Sequence, residues 1–211
     1  MTDVLTLTIF LGFLLGLRHA TDPDHVVAVA TIVSRERSMR AASAVGVLWG
    51  VGHSVTILVF GGALVLLRVS LAPRVGLALE FGVAVMLVLL GALNLRHGHA
   101  GADAPGHAAR PVAVGVMHGL AGTGAVAVAL VPIIPSAAWA LAYLVLFGLG
   151  TVAGMALVTA AIALPAALAA RRVRSMNGWL RVASGVASIG FGLFLAHRVG
   201  VVEGLFLGGG R

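Results

Sequence analysis

The residues best suited to chemistry lie in one short run, RHATDPDH, inside an apolar segment that extends from residue 4 to residue 33. The run holds two histidines, two aspartates and one arginine, which are His19, His25, Asp22, Asp24 and Arg18. Each ionisable side chain at membrane depth costs about 2.5–3.5 kcal/mol on the insertion scale, so the cluster needs partners or a function. Imidazole and carboxylate form a borderline ligand set that suits Ni(II), Co(II) or Zn(II) and suits Cu(I) poorly. The run therefore indicates either a site for a divalent transition metal or a helix break at which Arg18 pairs with an aspartate.

Pro23 should interrupt the helix, because proline lacks a backbone N–H and disfavours helical backbone at the residue before it. We expect Asp22 to be the N-cap of a second half-helix, with Pro23 in its first turn. On an unbroken helix, at about 100° per residue, His19, Asp22 and His25 would share one face and Asp24 would point away. A break at Pro23 relaxes that geometry, so Asp24 is able to turn inward.

Two further histidines lie inside apolar stretches, His53 in WGVGHSVTILV and His118 in GVMHGLAGTG. A lone histidine on an apolar helix is more often a hydrogen-bonded core residue than a ligand. Here each is flanked by glycine, which permits close approach of helices in a membrane. We therefore interpret the candidate metal ligands as His19, Asp24, His25, His53 and His118.

Several polar residues are candidate pathway or supporting groups rather than ligands: Asp22, Arg18, Ser54, Thr123 and Thr151. For each hydroxyl, the alternative is a hydrogen bond back to a carbonyl of its own helix. The loop histidines His97, His99 and His107 fit a solvated linker.

The composition requires a membrane environment. Of 211 residues, 60% are hydrophobic and 10% charged, and the mean hydropathy is +1.08, far above that of soluble domains. Stretches long enough to cross a hydrocarbon core of about 30 Å occur at 43–67, 75–95, 112–131, 137–164 and, with one arginine, 179–197. With the broken first segment, they predict an all-α polytopic membrane protein of about six transmembrane helices. The run at 4–17 lacks a basic region before it, so we do not interpret it as a signal peptide.

Cysteine is absent, which excludes disulfides and thiolate metal sites. The net charge of +7 comes from 14 arginines and no lysine. Eight arginines fall in the first, third and fifth connections against four in the others, so we interpret them as setting orientation in a prokaryotic-type inner membrane. This bias places the termini outside and gives no indication of a nucleic-acid partner.

The chain reads as a single membrane domain over 1–211, with two related halves at 1–95 and 112–211 joined by a polar linker at 96–111. A shift of 99 residues places Gly16, His19 and the run 27–30 on Gly115, His118 and the run 126–129. A shift of 98 places Leu48, Gly50 and Gly52 on Leu146, Gly148 and Gly150. Three spans in each half predict two inverted three-helix repeats, an architecture that puts the substrate site near the bilayer midplane.

The run RHATDPDH resembles the signature of the nickel/cobalt transporter family, which is His, four residues, Asp, His, and is matched here by His19, Asp24 and His25. The segments GVGHSVTILVFG, HGLAGTGA and FGLGTVAGM are also similar to that family, especially to its short urease-associated permease branch. The resemblance implies nickel or cobalt permeation through a helical bundle, with these three residues essential. Pro23 departs from it, since alanine is frequent at that position, and the chain lacks the extra helices of longer members.

These observations predict an uptake permease for Ni(II) or Co(II) rather than an enzyme, with the metal as substrate and no resident cofactor. No nucleotide-binding loop is present, so the energy for uptake must come from an ion gradient, the membrane potential or a separate subunit. A dication gains about 4.6 kcal/mol per 100 mV. The expected partners are the metal ion and membrane lipid. The sequence leaves open whether the chain forms a homo-oligomer. Exporters of the family tend to carry long histidine-rich loops, which makes uptake the better prediction.

The sequence leaves three alternatives to nickel or cobalt uptake open. Export of the same metals, or permeation of Mn(II) or Zn(II), would use the same ligands. A membrane haem protein would take axial ligands from His19, His25, His53, His118 and His197. An intramembrane metalloprotease is weaker still, because the sequence has no H-E-x-x-H motif.

Overall fold

A computed structural model describes residues 2–34, 36, 38–69, 71–96, 109–121, 134, 136–172 and 176–207. The described residues form seven α-helices and no strand, which confirms the all-α prediction. In chain order the helices are α1 (Thr2–His19), α2 (Pro23–Val33), α3 (Met39–Leu67), α4 (Pro73–Arg96), α5 (Ala109–Leu120), α6 (Ala137–Arg172) and α7 (Met176–His197). A π-helical turn, Arg198–Val202, follows α7.

Four helical segments are long and apolar enough to cross a membrane: Met39–Leu67, Pro73–Arg96, Ala137–Pro165 and Gly178–Val202. Their outer surfaces expose large apolar side chains; Val59 is 67% exposed and Leu157 is 65% exposed. Lipid contact explains such a surface, whereas water does not. The chain is therefore an integral membrane protein.

The two remaining predicted spans do not appear as single long helices in the described residues. The first segment is present as the shorter apolar helices Phe10–His19 and Pro23–Val33. In the stretch predicted at 112–131, α5 ends at Leu120, and 122–133 lies outside the described residues. Four spans, and not six, are therefore evident in the described part of the chain.

The chain turns between α1 and α2 at Ala20, Thr21 and Asp22. The Thr21 hydroxyl donates to the carbonyl oxygen of Arg18 at 2.6 Å, which closes the end of α1. Asp22 adopts an extended backbone (φ −61°, ψ 142°) at the N-cap position, and Pro23 begins α2. The carboxylate of Asp22 makes no capping hydrogen bond, contrary to the role expected of an N-cap aspartate. Within the described segments Arg18 forms no ion pair with Asp22 or Asp24, so the salt-bridged alternative is not observed.

Two pairs of helices cross at glycines and bring the functional residues together. On α1, Gly16 packs against α6, where an added Cβ would meet the carbonyl of Phe147 and lie 2.8 Å from the backbone nitrogen of Thr151. On α5, Gly115 packs in the same way against α3, at Trp49 and His53. No larger residue fits at either glycine, because the neighbouring backbone occupies the space.

Helix α4 packs along α7, and α2 lies among α3, α4, α6 and α7. The buried side chain of Asn94 donates to the hydroxyls of Ser34 and Ser184 and to the carbonyl of Arg181. These hydrogen bonds join the end of α2 to α4 and α7. They also satisfy the amide of a polar residue that would otherwise be costly at this depth.

Candidate metal centre

The candidate ligands meet at the middle of α3. His53 is the central residue of the 29-residue α3, which places it about 21 Å from either end at 1.5 Å per residue. His19 ends α1, Asp24 and His25 begin α2, and His118 lies near the end of α5. The cluster therefore lies near the middle of a helix that is long enough to cross a membrane.

All five candidate ligands are buried. His25, His53 and His118 are 0% exposed, His19 is 7% exposed and Asp24 is 8% exposed. Asp24 has turned inward at the break, whereas the side chain of Asp22 keeps 44% of its exposure. Asp22 therefore lies at the outer edge of the cluster and Asp24 lies within it.

His19 and His53 form one side of the cluster, with their Nε2 atoms 3.1 Å apart. The Nδ1–H of His19 donates to Asp22 at 2.8 Å, which directs Nε2 toward His53. A carboxylate on the far nitrogen is the usual support of a metal-binding histidine. Two nitrogens bound to one metal ion at 2.0–2.1 Å lie about 2.9–3.4 Å apart, so the observed separation suits a shared ion. It leaves no space for a porphyrin between the rings, which argues against bis-histidine haem ligation by this pair.

Asp24 forms the other side of the cluster between two imidazoles. Its Oδ1 accepts from Nδ1 of His25 at 3.0 Å, and its Oδ2 accepts from Nε2 of His118 at 2.8 Å. A buried carboxylate is tolerated only when it is paired or binds a cation. Asp24 therefore supplies negative charge at the point where a dication would need it.

His25 lies at the centre. Its ring centroid is 4.6 Å from that of His19, 5.2 Å from that of His53 and 4.4 Å from that of His118. Its Nε2 is buried and has no hydrogen-bond partner among the described residues, and the same holds for Nδ1 of His53 and of His118. A buried polar atom left unpaired costs about 1–3 kcal/mol and needs an explanation, which a metal ion would provide.

Two groups of three have ligand atoms close enough to hold one ion. They are His19, His25 and His53, and Asp24, His25 and His118; in each group the ligand atoms lie within 4.8 Å of one another. One group offers imidazole alone, and the other adds a carboxylate. Both sets suit Ni(II), Co(II) or Zn(II).

Two aromatic residues enclose the cluster, and the sequence analysis did not single them out. Trp49 stacks on His25 with centroids 5.8 Å apart and planes 8° from parallel, and its edge meets His118 at 5.5 Å. Phe147 lies 5.4 Å from the ring of His19. Both exclude water and restrict ring rotation. The position of Trp49 could have been predicted from the sequence, because Trp49 is four residues before His53 and therefore on the same helix face.

The remaining candidates lie around the cluster or beyond the described residues. The hydroxyl of Ser54 donates to the carbonyl of Gly148 at 2.9 Å, where α3 crosses α6. Thr151 is buried and donates to the carbonyl of Phe147 in its own helix, which is the alternative expected for a helical hydroxyl. Thr123 and the loop histidines His97, His99 and His107 lie outside the described residues.

Sequence similarity to curated proteins extends over almost the whole chain. The chain is 34% identical over 213 residues to the urease accessory protein UreH of Bacillus sp. (strain TB-90), covering 93% of each protein. It is 28% and 29% identical to the chloroplast proteins FOR GROWTH AND FERTILITY 2 and 1 of Arabidopsis thaliana, over 91% and 86% of this chain. It spans 56% of the length of each of these two. No solved structure gives a significant match.

Residues 5–102 match the model of the NicO family, described as high-affinity nickel-transport protein. The matched range contains His19, Asp24, His25 and His53, and the likeness to UreH extends through the second half. The chain therefore belongs to the NicO family of high-affinity nickel-transport proteins.

Proposed function

We propose that the chain is an uptake permease for Ni(II) or Co(II), and that the metal crosses the bilayer through the buried cluster of histidines and Asp24. The observation that carries this proposal is the convergence of four helices on two overlapping groups of metal ligands at the middle of α3. Ionisable residues inside membrane-spanning bundles are rare and commonly mark ion pathways. The identity of the metal is inferred from the family of the chain, which is a family of nickel-transport proteins.

The proposed ligands are His19, Asp24, His25, His53 and His118. Hydrogen bonds among these residues and Asp22 support this set, because they orient the rings and leave buried nitrogens without a partner among the described residues. Arg18, Ser54 and Thr151 are proposed to support the helices around the site, as their backbone or helix-crossing contacts allow.

The proposed architecture is a pair of inverted three-helix repeats with six spans, in which α1 and α2 together form one broken span. The glycine crossings support it: Gly16 packs at Phe147 and Thr151, and Gly115 packs at Trp49 and His53. Shifts of 99 and 98 residues relate the two glycines and the two pairs of positions that they contact. Helix α1 contacts α6 as α5 contacts α3, which is the pattern that exchange of two halves would produce.

Uptake would be driven by the membrane potential or by an ion gradient. A potential of 100 mV is worth about 4.6 kcal/mol for a dication, enough for about a thousandfold accumulation. The bias of arginines toward odd-numbered connections supports termini outside the cytoplasmic membrane. A homo-oligomer is compatible with this arrangement, and the cluster itself is built within one chain.

The test is metal accumulation in cells that express the chain. His19→Ala, Asp24→Ala and His25→Ala should each abolish uptake of radioactive nickel and cobalt while the protein still inserts in the membrane. His197→Ala is the matched control, because His197 is exposed at the end of α7 and outside the cluster. Wild-type uptake in any two of the three variants would contradict the site, and loss of metal from preloaded cells would indicate export.

A further inference from the structure

We propose that the cluster offers the ion two alternative positions that share His25, and that the ion crosses the core by passing from one side of the His25 ring to the other. The first position is formed by His19, His25 and His53, and the second by Asp24, His25 and His118. This inference rests on the proposed function, and it concerns how the same site works.

The two nitrogens of His25 face different partners. Nδ1 lies 3.0 Å from Asp24, whose other oxygen lies 2.8 Å from His118. Nε2, on the opposite edge of the ring, is buried without a hydrogen-bond partner in the described part of the chain. Because Asp24 engages Nδ1, Nε2 is the nitrogen left for an ion held between His19 and His53. The ring therefore separates two ligand groups and belongs to both.

The two positions differ in the ligands that they offer. The first offers three neutral imidazoles, and the second offers the carboxylate of Asp24 together with two imidazoles. In either position the neutral ring of His25 carries its single proton on the nitrogen that the metal does not occupy. The ring of His25 is therefore neutral in both positions, which differ in the nitrogen that carries the proton.

The surroundings set an order for the two positions. Asp22 keeps 44% of its side-chain exposure and binds His19, so the first position adjoins the accessible edge of the break. The side chain of Asp24 is 11% exposed, and His118 is fully buried. Trp49 stacks on His25 and meets His118 with its edge, which holds the shared ring in place. An ion that enters past Asp22 would therefore meet His19 first, because Asp22 binds that ring.

The test compares glutamine variants in the purified full-length chain, each titrated with Co(II) alone and with Ni(II) alone. His53→Gln should keep the second position, and His118→Gln should keep the first, since glutamine preserves a donor for Asp24 but offers no imidazole. Each variant should bind one ion, and their Co(II) absorption spectra should differ because only one position contains oxygen. The wild-type spectrum should be a weighted sum of the two. His25→Gln should lose at least about tenfold in affinity, the range associated with damaged metal sites.

Transport should fail in both single variants even though they bind metal, because each has lost one of the two positions. Asp24→Asn checks the second position without removing a histidine, and its Co(II) spectrum should match that of His118→Gln. Loss of all binding in His53→Gln or His118→Gln, in protein that purifies like the wild type, would overturn the inference in favour of one composite site. Two ions bound at once by the wild type would also overturn it. Failure of the wild type to bind or accumulate either metal would instead overturn the proposed function, before any variant is made.

Discussion

Gly115 provides the sharpest test of how closely α5 must approach α3. It lies three residues before His118, and a methyl group at this position would be 2.6 Å from Cδ1 of Trp49 and 2.9 Å from the backbone nitrogen of His53. Non-bonded carbon atoms prefer separations of about 3.5–4.0 Å. The substitution Gly115→Ala therefore requires α5 to move away from α3 by about 1 Å, because the obstructing atoms include backbone and an enclosed indole.

A movement of this size exceeds what a metal site tolerates. Ligand distances in functional sites hold to about 0.2 Å, so His118 would leave the reach of an ion bound by His25 and Asp24. We expect nickel uptake and affinity to fall by about 10- to 100-fold, the loss seen when the support of a metal ligand is removed. Overpacking should also lower the free energy of unfolding by about 1–3 kcal/mol.

The measurements are initial rates of radioactive nickel uptake in cells, corrected for the amount of protein in the membrane, and thermal unfolding of the purified chain. Gly190→Ala is the matched control, because a methyl group there would meet nothing within 4 Å. The control should transport like the wild type. Wild-type uptake and stability in Gly115→Ala would refute the reasoning, since they would mean that the helices adjust without disturbing the cluster.

Two further predictions concern the entry to α3 and the wall of the site. Ser38→Ala should lower the free energy of unfolding by about 1 kcal/mol and leave nickel affinity unchanged, because the Ser38 hydroxyl caps α3 by accepting from the backbone nitrogen of Ala41. Equal unfolding temperatures for variant and wild type would contradict this role. Nickel should quench the fluorescence of Trp49 in a variant that carries Trp139→Phe and Trp179→Phe, because Trp49 stacks on the central histidine and the other two tryptophans are exposed. Unchanged emission at saturating nickel would place the ion elsewhere.

Hydropathy predicted the long helices well, because a 20-residue apolar stretch has few alternatives to a membrane-spanning helix. The segments predicted at 43–67, 75–95, 137–164 and 179–197 agree within about five residues with the four observed membrane-spanning segments. Pro23 likewise marked the start of α2, since its ring excludes an uninterrupted helix. The count of six spans is not confirmed in the described part of the chain, where α5 ends at Leu120 inside an unbroken apolar stretch.

The cluster was only partly accessible from the sequence. The spacing of His19, Asp24 and His25 placed them together, since they flank one turn. His53 and His118 are distant in sequence, and only the helix packing brings them against His25. Asp22 shows why the partner of a side chain is harder to predict than the conformation of the backbone. Asp22 occupies the N-cap position, but its carboxylate accepts a hydrogen bond from His19 and makes no capping hydrogen bond. An imidazole donor within reach competed for the carboxylate with the backbone N–H groups of α2.

The glycine crossings also have a mechanical consequence. At Gly16 and at Gly115 one helix lies against the backbone of another, and the glycine contributes no side chain that could act as a compressible layer. Such helices lose contact at once if they tilt apart, but they are able to slide along each other by small steps. A conformational change that opens the cluster to either side should therefore be a shear between packed helices, and hinge bending should be confined to segments such as the turn between α1 and α2.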